Sequence, residues 1–194
     1  LSSQFIVDLY FTFGLIAFIL LGRYDAARQK IWQRVALIFM VVYLMATFGL
    51  QQYADWRVRR TVKENQIAFE KISTLPLPLS IFDWVGLVQT KSGVHRAEFT
   101  VFDDKLVFED LRHASDAFVD RTRQHAQAEW YLGFAHHPLV QSFAQEKNHI
   151  VEIHDLQFSA PARIVKMFGM KKPRTPFALR FTYNAAGEFV SSSF

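Results

Sequence analysis

Four groups of side chains have the types and spacing to do chemistry. Asp8 is a carboxylate inside an otherwise apolar stretch, FIVDLYFTFGLIAFILLG over Phe5–Gly22. An acid within a membrane span is costly and by default marks a functional site, here a catalytic or metal-ligating carboxylate. The competing reading puts Asp8 at the end of the span, where it reaches headgroup water, and the sequence leaves both open. His154–Asp155 are a polar pair in HIVEIHDLQF, whose apolar parity flips between Ile153 and Leu156. A bulge or bend there would present the pair as a catalytic site on a sheet; the plainer reading is a satisfied network at a strand end.

His136–His137 invite a metal reading, but neighbours on a helix point about 100° apart and do not easily share one ion. No His, Asp or Glu lies four residues from either. His125 and Glu129 do share a helix face at i, i+4, yet two ligands are not a site. With Arg121 one turn earlier they make a surface charge cluster. The chain has no cysteine, which excludes disulfides and thiolate metal sites. HExxH, GxSxG, P-loop and dinucleotide fingerprints are all absent.

The elements that must position these groups begin with two apolar runs, Phe5–Gly22 and Val35–Leu50. A bilayer core of about 30 Å takes roughly 20 apolar helical residues, with a minimum near 17. The first run meets that minimum; the second is a residue or so short and is completed by Trp32 at one end and Tyr53 and Trp56 at the other. Neither Leu15–Leu21 nor Val35–Met45 carries the polar stripe of a soluble core helix. The expectation is a transmembrane helical hairpin over residues 1–52. A cleaved signal peptide fits poorly, since no basic stretch precedes Phe5 and no small-residue cleavage site follows Gly22.

Net charge is +4, and the basic residues cluster beside the apolar runs. That pattern suits anionic lipid headgroups, and no nucleic-acid partner is expected. Arg23, Arg28, Lys30 and Arg34 precede the second run, and Arg57, Arg59, Arg60 and Lys63 follow it. Cytoplasmic flanks carry the Lys/Arg excess, so this balance does not orient the hairpin.

Ala54, Val58, Val62, Phe69 and Ile72 keep helical spacing among charges, which predicts an amphipathic connecting helix over 53–74. The prolines of LPLPLS then end it, leaving a soluble β-rich α+β domain over 75–194. FDWVGLVQTK, HRAEFTVF and KLVFE read as three strands of an antiparallel meander. Ser115–Asp116 start a helix to about Ala135, and Pro138 opens a second short helix, LVQSFAQ. Residues 159–176 read as a long loop. Phe177, Leu179, Phe181 and Tyr183 alternate into a hairpin that turns at Asn184–Gly187.

Taken in order, these segments resemble the C-terminal part of a known family. They are FIVD opening a helix, a second span running into a rod, LPLPLSIFDWVGLV, YLGFAHHPLV, VEIHDLQF and a PFALRF hairpin. The family is the YdjM-like predicted inner-membrane, metal-dependent hydrolases, and the resemblance covers nearly all of the chain. It implies a multi-pass protein of the bacterial inner membrane and a membrane-proximal or lipid-linked substrate. It also implies a divalent metal that polarises the scissile group and activates water. In that family the proposed His and Asp ligands lie in helices upstream of the FIVD segment, so only Asp8 falls where the site could be. Leu1 is not an initiator Met, and the chain is expected to be part of something longer. The alternative is a non-enzymatic, membrane-anchored β-domain that binds a protein or envelope partner; a transporter or channel subunit is poorly supported by two spans with one acid.

Overall fold

A computed structural model of the chain describes residues 9–78, 80–167 and 177–194. The fold is α+β, with a long helix near the N-terminus and two four-stranded antiparallel sheets. It divides into two compact units, one of Leu1–Gln66, Thr74–Gly86 and Glu98–Leu106, the other of Ile67–Ser73, Leu87–Ala97 and Val107–Phe194.

In the first unit, helix α1 (Leu9–Tyr24) turns through a short 3-10 segment, Ala26–Arg28, into helix α2 (Gln29–Glu64). Asp25 caps that turn by accepting from the Arg28 amide at 3.3 Å. The two helices meet through rings: Phe39 packs against Phe11 and Phe18 at centroid distances of 6.3 and 5.3 Å, and Tyr43 against Phe11 at 5.4 Å. Gly14 makes room for this contact, since a Cβ there would lie 2.5 Å from Phe39 Cζ. Away from that seam the apolar side chains face outward. Ile19, Leu20, Ile38, Val42 and Met45 are all at least 60% exposed. The hydroxyl of Thr47 donates back to the Tyr43 and Leu44 carbonyls at 3.1 and 3.0 Å, which satisfies it without water.

Among the described residues, one helical stretch, within Ala26–Glu64, is long and apolar enough to cross a membrane; Tyr10–Tyr24 is a shorter apolar helix. The pair of spans expected from sequence is thus one helix of spanning length and one shorter helix.

Beyond Gln51 the character of α2 changes. Ala54, Val58 and Val62 are buried, while Arg59 and Arg60 pair with Asp55 and Glu64 at 2.6 and 2.7 Å. Buried Arg57 donates to three carbonyls, Thr100 at 3.2 Å, Val101 at 3.3 Å and Asp103 at 2.6 Å, and its guanidinium lies over the Phe99 ring. The helix stops at Glu64, ten residues earlier than the helical spacing to 74 predicts. Asn65 caps it and Gln66 takes a left-handed φ of 52°, the usual way a helix is brought to a close. Lys71–Pro76 is instead strand β1.

The first sheet runs β1–β2–β3–β4, with β2 at Asp83–Thr90, β3 at Gly93–Thr100 and β4 at Glu109–Arg112. Strands β1, β2 and β3 each divide between the two units. The expected KLVFE strand begins only at its last residue, because the register pairs Gly93 with Arg112 and Arg96 with Glu109.

In the second unit, Asp116 caps α3 (Ala117–Arg123) by accepting from Phe118 and Val119, both at 2.9 Å. Helix α4 (Ala126–Phe134) follows after a break at Gln124–His125, so the single helix predicted over this stretch is two. The second sheet runs β5–β6–β7–β8, from Pro138–Gln145, Asn148–Asp155, Leu179–Tyr183 and Phe189–Ser193. Strand β5 corrects the short helix expected after Pro138: its eight residues pair one for one with β6, from Pro138↔Asp155 to Gln145↔Asn148. One face of this sheet is dry. Val140, Val151, Ile153, Leu179, Phe181 and Tyr183 close on Val119, Ala128 and Tyr131. Tyr183 Oη and Thr122 Oγ1, buried together, are 2.7 Å apart. The expected final hairpin is present, and its turn carries Gly187 at φ 79°. Within the expected 159–176 loop, Ala162–Met167 form a short helix, α5.

Candidate functional site

Strand parity decides which side chains share the second face of the β5–β8 sheet. On β6, Val151 and Ile153 enter the core, so Glu152 and His154 face the other way. Across the ladder Gln141 pairs with Glu152, Glu152 with Arg180, Arg180 with Ser193, and Leu139 with His154. The result is a polar row beside an apolar floor. It lines an open cleft of about 1610 Å³, bordered also by Arg96, Glu109, Lys166, Phe177 and Phe194.

Arg180 grips Glu152 from one side, with Nη2 at 2.9 Å and Nε at 3.3 Å from the same Oε2. The other carboxylate oxygen of Glu152 lies 3.9 Å from His154 Nδ1. His154 is only 5% exposed, and Nδ1 makes no hydrogen bond among the described residues. Burial lowers its pKa from the ordinary value, against the upward pull of Glu152 and Asp155, with Arg96 also pushing it down. The imidazole is therefore neutral near pH 7, able to donate from one nitrogen and accept at the other.

Its sequence neighbour Asp155 has a different task. Oδ2 accepts from the His136 amide at 2.7 Å, and Oδ1 from the amides of His137 at 3.0 Å and Gln157 at 3.1 Å. Asp155 N donates to Tyr131 Oη at 3.2 Å, and that hydroxyl donates to the Phe177 carbonyl at 2.7 Å. Asp155 thus ends β6 and caps the 3-10 turn Leu156–Phe158. This replaces the bulge expected at 154–155: the parity flips because the strand stops. His154 and Asp155 point to opposite faces of the sheet, and the structure does not bring them together as a pair.

Four other histidines are engaged elsewhere. His137 is fully buried with Nε2 2.6 Å from Ser73 Oγ, and burial drives its pKa down to about 4. His136 is held by its amide on Asp155, and the ring approaches the Phe134 carbonyl at 3.4 Å. His125, at the start of α4, packs its ring 4.6 Å from Phe189 and 5.3 Å from Phe181. His113 accepts from the Val140 amide at 3.3 Å, and burial lowers its pKa. Asp8 lies outside the described residues.

The donor set does not fit a divalent metal. No group of three or more His, Asp or Glu that could hold an ion occurs among the described residues. Of the cleft's potential donors, Glu109, Glu152 and His154 do not come together as a ligand set, and Glu152 is already tied to Arg180. Sequence reasoning reached His154 but missed Glu152 and Arg180. The signals were there: Glu152 and His154 are two apart on a strand, and Arg180 is a polar residue in an apolar alternation.

No family model, curated protein or solved structure matches the chain.

Proposed function

We propose that this chain is a membrane-anchored protein in which the α1–α2 pair lies in lipid and the β-rich unit is a water-exposed recognition module. The observation that carries this reading is the outward apolar surface of the two helices, where Met45, Ile19 and Ile38 are exposed at 69, 67 and 61%. Soluble proteins rarely present contiguous apolar patches of this kind, and lipid is the solvent that suits them. In this reading both helices insert, the protein is multi-pass, the bacterial inner membrane is its location, and anionic headgroups meet the flanking Arg and Lys residues. Alkaline extraction of isolated membranes tests it: the chain should stay in the pellet and move to the supernatant only with detergent. Release by alkali alone contradicts it.

A second reading, a metal-dependent hydrolase acting on a lipid-linked or membrane-proximal substrate, is supported by the resemblance in segment order. Because the described residues do not assemble a metal site, it requires ligands outside them, with Asp8 the candidate from this sequence. Metal analysis of the protein extended upstream, with ester and phosphoester hydrolysis as readout, tests that reading. Bound stoichiometric metal supports it; no metal and no turnover removes it.

A further inference from the structure

We propose that the cleft on the open face of the β5–β8 sheet binds an amphiphile with a single negatively charged oxyanion head, a carboxylate or a phosphodiester, on an apolar tail. This deepens the recognition-module reading and rests on it. The side chains around the cleft include three cations, Arg96, Lys166 and Arg180, against two carboxylates, Glu109 and Glu152. Among the described residues Arg180 gives Nε and Nη2 donors to one oxygen of Glu152, and a guanidinium fork has capacity for a second oxyanion. His154 is the second, independent observation. It is more than nine-tenths buried, belongs to the cleft lining, and has a ring nitrogen without a hydrogen bond among the described residues. Buried polar atoms are nearly always satisfied, and one that is not calls for a partner such as a water, an ion or a ligand group.

The rest of the lining argues for a tail. Leu139, Leu111, Phe143, Leu156, Phe177 and Phe194 supply apolar wall beside the polar row. A free inorganic anion would leave that wall in contact with water, and an apolar molecule would leave the head position empty. Pockets that recognise small molecules combine a mostly apolar lining with a few placed polar groups, as here.

The test uses the whole chain in lipid nanodiscs, with octanoate and dibutyl phosphate as the two head chemistries. Acetate and dimethyl phosphate are heads without tails, and octanol is a tail without a head. The readouts are calorimetric binding and the ring nitrogen shifts of His154. The proposal expects saturable binding of at least one tailed anion, at least tenfold tighter than its tailless head and than octanol. It also expects a shift at His154 and a tenfold or larger loss in Arg180→Gln with the fold unchanged by circular dichroism. Preference between octanoate and dibutyl phosphate then assigns the head. His154→Gln, which keeps hydrogen-bonding capacity without titrating, is the second variant and should retain part of the affinity. The proposal is overturned by equal binding of octanol, by equal binding of tailless heads, by no binding of either tailed anion, or by binding that neither moves His154 nor responds to Arg180→Gln. Because membrane retention is measured separately by alkaline extraction, failure here leaves the anchor reading standing.

Discussion

The helix pair and the β5–β8 sheet use the same kinds of side chain in opposite ways. In α1 and the first half of α2 many of the Leu, Ile, Val and Phe side chains are exposed, and a seam of rings around Phe39 packs between the helices. In the sheet, Val151, Ile153, Leu179 and Phe181 are at most 1% exposed, and the polar residues between them take the other face. The sheet gains its stability by removing apolar surface from water within the chain. The helices leave theirs exposed, and in the membrane-anchor reading lipid is what covers it. A single sequence thus contains one region that buries its apolar side chains and one that leaves many of them exposed.

Substitutions in each region test this contrast. The largest effect is expected from charging the outer helix face. Val41→Arg with Met45→Arg should abolish membrane integration, since each arginine at a helix centre costs about 3 kcal/mol on insertion scales. The measurement is the membrane-bound fraction after alkaline extraction; two arginines on a water-exposed face would change it little. In the sheet the sensitivity reverses. Phe181→Ala should destabilise the β-rich unit by about 3–5 kcal/mol in urea unfolding, through lost burial plus a cavity.

Asp155→Ala should cost about 3 kcal/mol in the same assay, because three backbone amides lose a charged acceptor. Asp155→Asn, which keeps an acceptor, should cost less.

A further effect is set by pH. His137 has a folded pKa of about 4 against about 6.5 when unfolded, so the unfolded chain binds more protons between those values. Stability from keeping it neutral is complete above pH 6.5 and is lost as pH falls towards 4, by on the order of 3 kcal/mol. His113 and His154, also lowered by burial, act in the same direction. Replacing His137 by Asn should flatten the pH dependence of the urea midpoint across this window, and an unchanged slope would remove His137 as its source.

Much of this was legible in the sequence where one period dominates. The apolar runs and the Phe177–Tyr183 alternation predict a helix and a strand without ambiguity, and both are present. Legibility fell where two patterns compete. Leu139, Val140 and Phe143 suit a helical face, and Pro138 suits a helix start, yet proline is equally at home as the first residue of a strand. The eight-residue pairing with β6, a contact between distant residues, decides it. Ile72 continues the helical spacing of α2, but Asn65 and Gln66 end the helix locally, a signal weaker to read than a proline. Of the candidate residues, His154 falls in the cleft and Asp155 in a cap. What separates them is strand parity, which is readable once the strand's end is known. Glu152 and Arg180 became visible only when the register placed them on one row.

The most direct test of the account follows from the absence of cysteine. Single cysteines placed at Leu37, Val41 and Met45, and at Glu188 in the final hairpin turn as a water-exposed control, each report their own surroundings in intact membranes. The account predicts that a membrane-impermeant maleimide, given access to both sides of the membrane, labels position 188 promptly. The three helix positions should stay unlabelled until detergent is added. Equal labelling at all four positions before detergent would contradict it.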